Sequence, residues 1–140
     1  MNTPAPRLLS DEAPVWFITG CSTGFGQELA RQAIALGYRT VVTARDPAKL
    51  DDFEESDKVL VVKLDVTRPD QVAAAIEAAE ACFGGIDVLV NNAGIGYFAA
   101  IEEGEAAEVL RMFEVNVFGL TAMIQAALPG MRKRRSGCIV

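Results

Sequence analysis

A loop near the N-terminus has the residue types and spacing of a phosphate-binding turn, and it reads Thr19-Gly20-Cys21-Ser22-Thr23-Gly24-Phe25-Gly26. Gly20 ends a short apolar run, and Gly24 and Gly26 begin a segment with helical spacing. Glycines at these places permit a tight turn, close approach of the backbone to a pyrophosphate, and close contact of helix with strand. The free amides of the helix N-terminus then face the anion, and Ser22 and Thr23 offer hydroxyl donors. The alternative is a tight turn without a ligand, but the flanking pattern favours a dinucleotide loop.

The end of the second predicted strand reads Thr43-Ala44-Arg45-Asp46. It follows the glycine loop by about 20 residues, where a dinucleotide-binding sheet contacts the adenosine ribose. An acidic residue there would bind a ribose 2′-hydroxyl, whereas an arginine would bind a 2′-phosphate through its planar guanidinium. Alternatively, Arg45 is a surface charge and Asp46 caps the next helix. We interpret Arg45 as a phosphate ligand, which predicts NADP(H) rather than NAD(H).

Polar residues also follow the third and fourth predicted strands. Asp65, in Leu64-Asp65-Val66-Thr67, could accept a hydrogen bond from an adenine amino group or simply order the loop before Pro69. The fourth strand is followed by Asn91-Asn92-Ala93-Gly94, where two amides beside two small residues suit backbone that passes close to a ligand. Either stretch alone could be a turn, but ligands bind beyond the carboxyl ends of parallel strands. The predicted cofactor-binding residues at these two ends are therefore Asp65, Val66, Asn91, Ala93 and Gly94.

Short aliphatic runs alternate with longer segments of helical spacing, which predicts the scaffold for these loops. Near-continuous apolar runs are typical of parallel strands buried on both faces, and they cover residues 15–18, 40–43, 59–62, 88–90 and 138–140. Helices are predicted over 25–36, from Asp46 and Pro47, over about 69–83, and over about 105–128. This alternation predicts an α/β fold, a Rossmann-type doubly wound parallel sheet. Residues 1–14 are expected to be a disordered lead-in and 15–140 an NAD(P)-binding domain.

Composition and charge exclude several functional classes. The 140 residues are 51% hydrophobic and 23% charged, which fits one globular domain, and the net charge of −6 argues against nonspecific nucleic-acid binding. The basic run 132–135 is interpreted as a solvated connector, and no apolar run is judged long enough to span a membrane. Three widely spaced cysteines and no histidine argue against a disulfide framework, a metal site and His-based catalysis in these residues, and suit a cytoplasmic location.

Together these motifs resemble the short-chain dehydrogenase/reductase family over residues 15–140. Residues 19–26 are similar to its Thr-Gly-x-x-x-Gly-x-Gly loop, residues 91–94 to its Asn-Asn-Ala-Gly stretch, and Asp65 to its adenine-contacting aspartate. The resemblance implies the strand order 3-2-1-4-5 and hydride transfer between a nicotinamide cofactor and a carbonyl or alcohol substrate. Because Ala44 stands where NAD-preferring members carry aspartate, Arg45 resembles the NADP-preferring group.

The resemblance also implies a role for Asn116, in Glu114-Val115-Asn116-Val117. It matches a helix asparagine that members use to hold a water in a proton relay, although its position alone indicates only a hydrogen-bonded core amide. Members take the proton from a tyrosine whose pKa is lowered by a lysine four residues later, while a serine polarises the substrate oxygen. Tyr38 and Tyr97 are followed at that spacing by Val42 and Ile101. Asn116 is therefore expected to be the single supporting catalytic residue here.

The sequence stops at Val140, inside the fifth predicted strand, so we expect a truncated chain whose serine, tyrosine and lysine lie beyond it. An unprotected edge and a helix without its neighbour predict that the 140 residues are poorly soluble or only partly folded. A sharp, cooperative thermal transition in a monomeric sample would contradict this. The leading hypothesis is an NADP(H)-dependent oxidoreductase that is a homo-oligomer when complete. The alternative is a non-catalytic NADP(H)-binding module, and an interaction protein with a vestigial loop ranks last.

Overall fold

Parallel strands form the central sheet of the computed structural model, which describes residues 13–140. The sheet contains β1 (Val15–Ile18), β2 (Arg39–Ala44), β3 (Val59–Lys63), β4 (Val88–Val90) and β5 (Cys138–Ile139). Their order is β3-β2-β1-β4-β5, and every neighbouring pair is parallel. The predicted doubly wound α/β fold and strand order are therefore confirmed. The predicted lead-in, residues 1–14, lies outside the described residues except for its last two positions.

The register of β1 brings three loops to one edge of the sheet. Ile18, the last residue of β1, pairs with Val42 of β2 and with Val90 of β4. The chain therefore leaves β1, β2 and β4 at nearly the same level. Because β3 pairs with β2 through Ala44 and Lys63, the loop that follows β3 opens onto this edge as well.

Helices cover both faces of the sheet and bury the alternate side chains of its strands. On one face, α1 (Gly24–Ala35) inserts Ala30 and Ala33 against Ile18 of β1. On the other face, α2 (Pro69–Phe83) and α4 (Leu120–Arg134) enclose Phe17. Neighbouring residues of β1 thus point into opposite cores, as the two-residue period of a strand requires.

The connection between β2 and β3 differs from the predicted second helix. The pattern at Asp46 and Pro47 predicts a helix, but the structure has only a 3₁₀ turn, Pro47–Leu50. The predicted local signals are present, because the Asp46 carboxylate accepts a hydrogen bond from the amide of Ala48 at 3.2 Å and Pro47 occupies the first turn. The segment buries Leu50 and Phe53, but residues 54–58 are polar and exposed, so no apolar face continues a helix towards β3.

The helical segment 106–134 is longer than predicted. It consists of α3 (Ala106–Phe113), a π-helical turn (Glu114–Gly119) and α4. The helix does not end near Leu128 as predicted, because it continues through Pro129 and buries Met131 in the core. Proline removes one backbone donor from a helix, and the burial of the next apolar turn offsets that loss.

The basic run 132–135 is exposed, as the sequence suggested, but it is not a connector. Three of its members lie in the last turn of α4, where positive charge is favoured by the helix dipole. The Arg134 guanidinium donates to the carbonyl of Ile86 at 2.7 Å and so ties the helix end to the segment that precedes β4.

One helix in the described part of the chain, residues 106–134, is long and apolar enough to cross a membrane by length and composition, with a mean hydropathy of 1.2 over its most apolar window. The expectation that no segment meets this criterion is wrong. Its C-terminal half contributes Met123, Ala127 and Met131 to the core. Its N-terminal half exposes six apolar side chains, which we call the apolar stripe: Val109, Leu110, Phe113, Val117, Phe118 and Leu120.

Candidate functional site

The glycine loop is held from β4 by the side chain of Asn92. Its amide Nδ2 donates to the carbonyl oxygens of Thr19 and Gly20, both at 3.0 Å. These carbonyls belong to the turn between β1 and α1, where no strand or helix partner is available for them. One amide group thus fixes two successive peptide units of the loop.

Two threonines complete this clamp. The Thr19 hydroxyl accepts from the amide of Ala93 at 2.9 Å and donates to the carbonyl of Val90 at 3.3 Å. The Thr43 hydroxyl, at the end of β2, accepts from the amide of Gly20 at 3.3 Å and donates to the carbonyl of Ile18 at 3.0 Å. Both threonines are fully buried. The loop is therefore fixed by the strands on either side of it before any ligand binds.

Gly20 and Gly26 are required for different reasons. Gly20 has a φ of +72° and lies against the chain that follows β4, so an added Cβ would be 3.0 Å from the Cα of Ala93. Gly26 has ordinary helical geometry, but an added Cβ would collide with the carbonyl oxygen of Gly20 and with Nδ2 of Asn92. The start of α1 can therefore approach β1 only when residue 26 has no side chain.

Cys21, inside the loop, is buried and chemically protected. Its thiol donates to the carbonyl of Ile18 at 3.2 Å, and burial raises its pKa to about 12. At neutral pH this cuts the thiolate fraction about a thousandfold relative to an ordinary cysteine. We expect iodoacetamide to label Cys82 and Cys138, which are exposed, while Cys21 reacts only after unfolding. Mass spectrometry of labelled peptides tests this, and labelling of Cys21 in the folded protein would contradict it.

The loops at this edge enclose a cavity of about 530 Å³. Of the predicted cofactor-binding residues, its lining includes Gly20, Ser22, Thr23, Phe25, Arg45, Asp65, Val66, Ala93 and Gly94. Thr19, Gly24, Gly26 and Asn91 lie outside the lining, and the first three shape the loop instead. The structure thus brings residues from the ends of four strands around one cavity.

The cavity lining fits a dinucleotide. The backbone of the glycine loop and the N-terminus of α1 face one part of it, where a pyrophosphate is favoured. Arg45 supplies a cation after β2, and Asp65 supplies a carboxylate after β3. Phe25 is 92% exposed and adds an aromatic face at the start of α1. Acceptor, donor, cation and apolar surface are all present for a ligand that combines phosphates with flat rings.

Asp65 is kept ionised by its neighbours. Burial raises its pKa, but two hydrogen bonds from Thr67 and the charges of Arg45 and Arg68 outweigh this effect and leave the pKa below its ordinary value. The amide and the hydroxyl of Thr67 both donate to Oδ1 of Asp65, at 3.0 and 2.7 Å. The carboxylate therefore remains an acceptor for an amino group throughout the neutral range.

Replacing Thr67 with valine is expected to raise the pKa of Asp65 towards its ordinary value. A lowered carboxyl pKa stabilises the folded state above the unfolded-state pKa, and this contribution is lost as the pH falls through the folded-state pKa. The variant should therefore lose part of its stability at neutral pH but little of it in strong acid. Thermal unfolding followed from neutral pH down to about pH 2 measures this. Thr121→Val, which removes an exposed hydroxyl from α4, is the control, and parallel curves for Thr67→Val and wild type would contradict the assignment.

Asn91 and Asn92 point in different directions. The amide Nδ2 of Asn91 lies 3.5 Å from the carbonyl of Val140, and its backbone N–H donates to the same carbonyl at 2.8 Å. Its Oδ1 is buried without a partner among the described residues. Asn91 thus contacts the β5 side, whereas Asn92, which the sequence interpretation left out, contacts the glycine loop.

Asn116 lies in the π-helical turn and ties it to the chain beyond β4. Its Nδ2 donates to the carbonyl of Ile95 at 2.8 Å, and its Oδ1 accepts from the amide of Ile95 at 2.9 Å. π-Helical turns widen a helix and are frequent at functional sites. The structure thus engages both ends of the side-chain amide, and Asn116 lies outside the cavity lining.

Several residues that shape the site were not identified from the sequence. Asn92 and Thr43 could have been found by asking which side chains satisfy the buried carbonyls and amides of the glycine loop. Arg111, Glu114 and Val115 also line the cavity. Only the path of the helix across the sheet edge reveals these three.

Comparison with known proteins identifies the family. The sequence profile described as short chain dehydrogenase matches residues 14–140. Curated relatives named as oxidoreductases or dehydrogenases are 33% to 40% identical to this chain. The matches cover 88% to 96% of this chain, which spans about half the length of those relatives, 41% to 51%.

Solved structures agree with this result. A short-chain dehydrogenase from Streptomyces avermitilis is 39% identical with a TM-score of 0.87, over 93% of this chain and 48% of that one. A 3-ketoacyl-(acyl-carrier-protein) reductase from Brucella melitensis, complexed with NADH, is 36% identical with a TM-score of 0.82, over 89% and 52%. An alcohol dehydrogenase from Thermococcus sibiricus, complexed with 5-hydroxy-NADP, is 31% identical with a TM-score of 0.83, over 91% and 57%. The chain belongs to the short-chain dehydrogenase family.

Proposed function

We propose that this chain is the cofactor-binding part of an NADP(H)-dependent oxidoreductase that acts on a carbonyl or alcohol substrate. The observation that carries the proposal is the clamped glycine loop, which opens onto a cavity lined by Arg45 and Asp65. When bound, the nicotinamide ring gives or accepts the hydride. The protein's own residues orient it, with loop amides at the pyrophosphate and Asp65 at the adenine amino group.

Arg45 supports a preference for NADP(H). It lines the cavity directly after β2, next to Ala44, so no carboxylate occupies the position that would bind a ribose 2′-hydroxyl. The next residue, Asp46, uses its carboxylate to cap the 3₁₀ turn. Related structures hold either NADH or an NADP derivative, so the preference rests on Arg45 alone.

Titration of NADPH and NADH against wild type and Arg45→Ala tests the proposal. Loss of a charged hydrogen-bond partner is expected to cost about 1.5–3 kcal/mol, or about ten- to a hundredfold in NADPH affinity. NADH affinity should stay unchanged, because NADH has no 2′-phosphate. Arg68→Ala is the matched control, since Arg68 also acts on Asp65 but lies outside the cavity lining. An unchanged NADPH preference in Arg45→Ala would show that Arg45 does not bind the 2′-phosphate.

We further propose that the 140 residues bind the cofactor without catalysing turnover. Both tyrosines are engaged elsewhere: the Tyr97 hydroxyl accepts from the amide of Glu105 at 2.9 Å, and Tyr38 stacks on Trp16 with ring centroids 5.6 Å apart. Asn116 would then assist only by fixing the helix beside the site. Binding of NADPH with no oxidation in the presence of carbonyl substrates is the expected result, and turnover by the 140 residues would contradict it.

The clamped glycine loop and its cavity also support the second candidate, a non-catalytic NADP(H)-binding module. The two candidates differ in the complete protein, where the enzyme oxidises NADPH with a carbonyl compound and the module only binds it. For either, we propose a cytoplasmic location, which suits the three free cysteines. We also propose that the complete protein is a homo-oligomer, because the apolar stripe leaves Leu110 and Phe118 more than 60% exposed.

A further inference from the structure

The helix that crosses the carboxyl edge of the sheet contributes a wall of the cavity. Arg111, Glu114 and Val115 all line it, and their spacing of three and four residues places them on one face of the helix. None of the motifs in the sequence includes Arg111. It is a second cation in the cavity lining, in addition to Arg45.

The position of Arg111 is fixed from two directions. Its guanidinium Nη1 lies 3.2 Å from a carboxylate oxygen of Glu108, one turn earlier. The helix itself is anchored where it passes the end of β3, because Gly119 lies so close to Val66 that an added Cβ would be 2.6 Å from its side chain. Asn116 binds the same turn to Ile95. Arg111 thus stands on a helical segment that contacts, through Gly119, the residue next to Asp65.

The charges around the cavity indicate which part of a ligand Arg111 would meet. The cations that lower the pKa of Asp65 are Arg45 and Arg68, and Arg111 lines the cavity from a different element, α3. Arg45 follows β2, where the ribose phosphate is expected, whereas Arg111 lines the cavity from the helical segment that contacts Val66 through Gly119. Since Glu108 already balances its charge, Arg111 is better suited to an uncharged flat ring than to another phosphate. A guanidinium plane stacks on aromatic rings and donates to ring nitrogens.

We propose that Arg111 closes the adenine end of the cofactor site, with its guanidinium against the base, and thereby determines affinity for the adenine half of either cofactor. This rests on the proposed function, because it requires that a nicotinamide dinucleotide occupies the cavity. Arg45 and Arg111 then have separate roles: Arg45 distinguishes NADP(H) from NAD(H), and Arg111 binds both through the base that they share.

The test is calorimetric titration of wild type, Arg111→Ala and Arg111→Lys with NADPH, NADH, ADP-ribose and reduced nicotinamide mononucleotide. We expect Arg111→Ala to bind the three adenine-containing ligands about two- to thirtyfold more weakly, by similar factors. Its affinity for the mononucleotide should not change, and Arg111→Lys should fall between. Arg132→Ala is the matched control, because Arg132 is exposed on the same helix and outside the cavity lining. Urea unfolding without ligand shows whether a variant acts through stability.

Each outcome separates this inference from the proposed function. If wild type binds neither NADPH nor NADH, the proposed function is wrong and the inference fails with it. If wild type binds the cofactors and Arg111→Ala binds every ligand as tightly as wild type does, only the inference is wrong. A loss of affinity confined to NADPH would make Arg111 a phosphate ligand and would also overturn the inference. The inference would likewise be wrong if the loss of affinity were explained by a lower midpoint of urea unfolding.

Discussion

Replacing Gly26 with alanine is expected to abolish binding of nicotinamide dinucleotides and to destabilise the fold. The added Cβ would overlap the carbonyl of Gly20 and Nδ2 of Asn92, and neither can move without breaking the clamp on the loop. Overpacking of this kind costs about 1–3 kcal/mol, and more where backbone must shift. Urea unfolding measures the loss of stability, and titration with NADPH under native conditions measures the loss of binding.

Gly37→Ala is the control that separates strain from loss of the site. Gly37 has a φ of +81° and nothing within 4 Å of an added Cβ, so alanine there costs about 1–2 kcal/mol of backbone strain. It lies at the end of α1, away from the cavity. We expect this variant to lose stability and keep its cofactor affinity. Normal NADPH affinity in Gly26→Ala would show that close contact of α1 with β1 is not needed for binding.

Replacing Asn92 with aspartate is expected to have a similarly large effect. A carboxylate oxygen would then face the carbonyl oxygens of Thr19 and Gly20, which both accept from Nδ2 in the native protein. Two hydrogen bonds are lost and a part-buried charge is added, so we expect a destabilisation of about 3 kcal/mol at neutral pH. Repulsion raises the pKa of the new carboxyl, and its protonated form can donate again. The difference in stability from wild type should therefore narrow as the pH falls through that raised pKa.

Asn91→Asp is the matched control for this variant. Asn91 precedes Asn92 directly, but its side chain faces β5 and not the glycine loop. We expect Asn91→Asp to affect cofactor affinity much less than Asn92→Asp does. Equal losses of cofactor affinity in the two variants would mean that charge near the end of β4, and not the clamp, controls the loop.

The glycine loop and the strands could be predicted because their signals are local, whereas the strand order was implied by the family resemblance. Gly20, Gly24 and Gly26 mark a turn whatever the rest of the chain does, and buried parallel strands are visible as apolar runs. The choice between Asn91 and Asn92 could not be predicted in this way. Successive residues at a strand end point to opposite sides, and a difference of one residue decides which amide reaches the loop.

Helix lengths depended on tertiary contacts and were predicted less well. At Asp46 the capping signals are correct, yet only one turn forms, because the polar residues that follow Leu50 and Phe53 offer no further apolar surface to the core. At Pro129 the local signal predicts an end, yet burial of Met131 carries the helix onward. Arg111 had no local signal at all, because its place in the cavity depends on where the helix crosses the sheet edge.

Direct calorimetric titration of NADPH into the wild-type protein tests the central claim, that the clamped loop and its cavity form a nicotinamide-dinucleotide site. We expect saturable binding that ADP-ribose competes away and that Gly26→Ala removes. Circular dichroism on the same sample establishes that the protein is folded during the titration. The absence of binding of both NADPH and NADH to a folded sample would show that the cavity is not a nicotinamide-dinucleotide site.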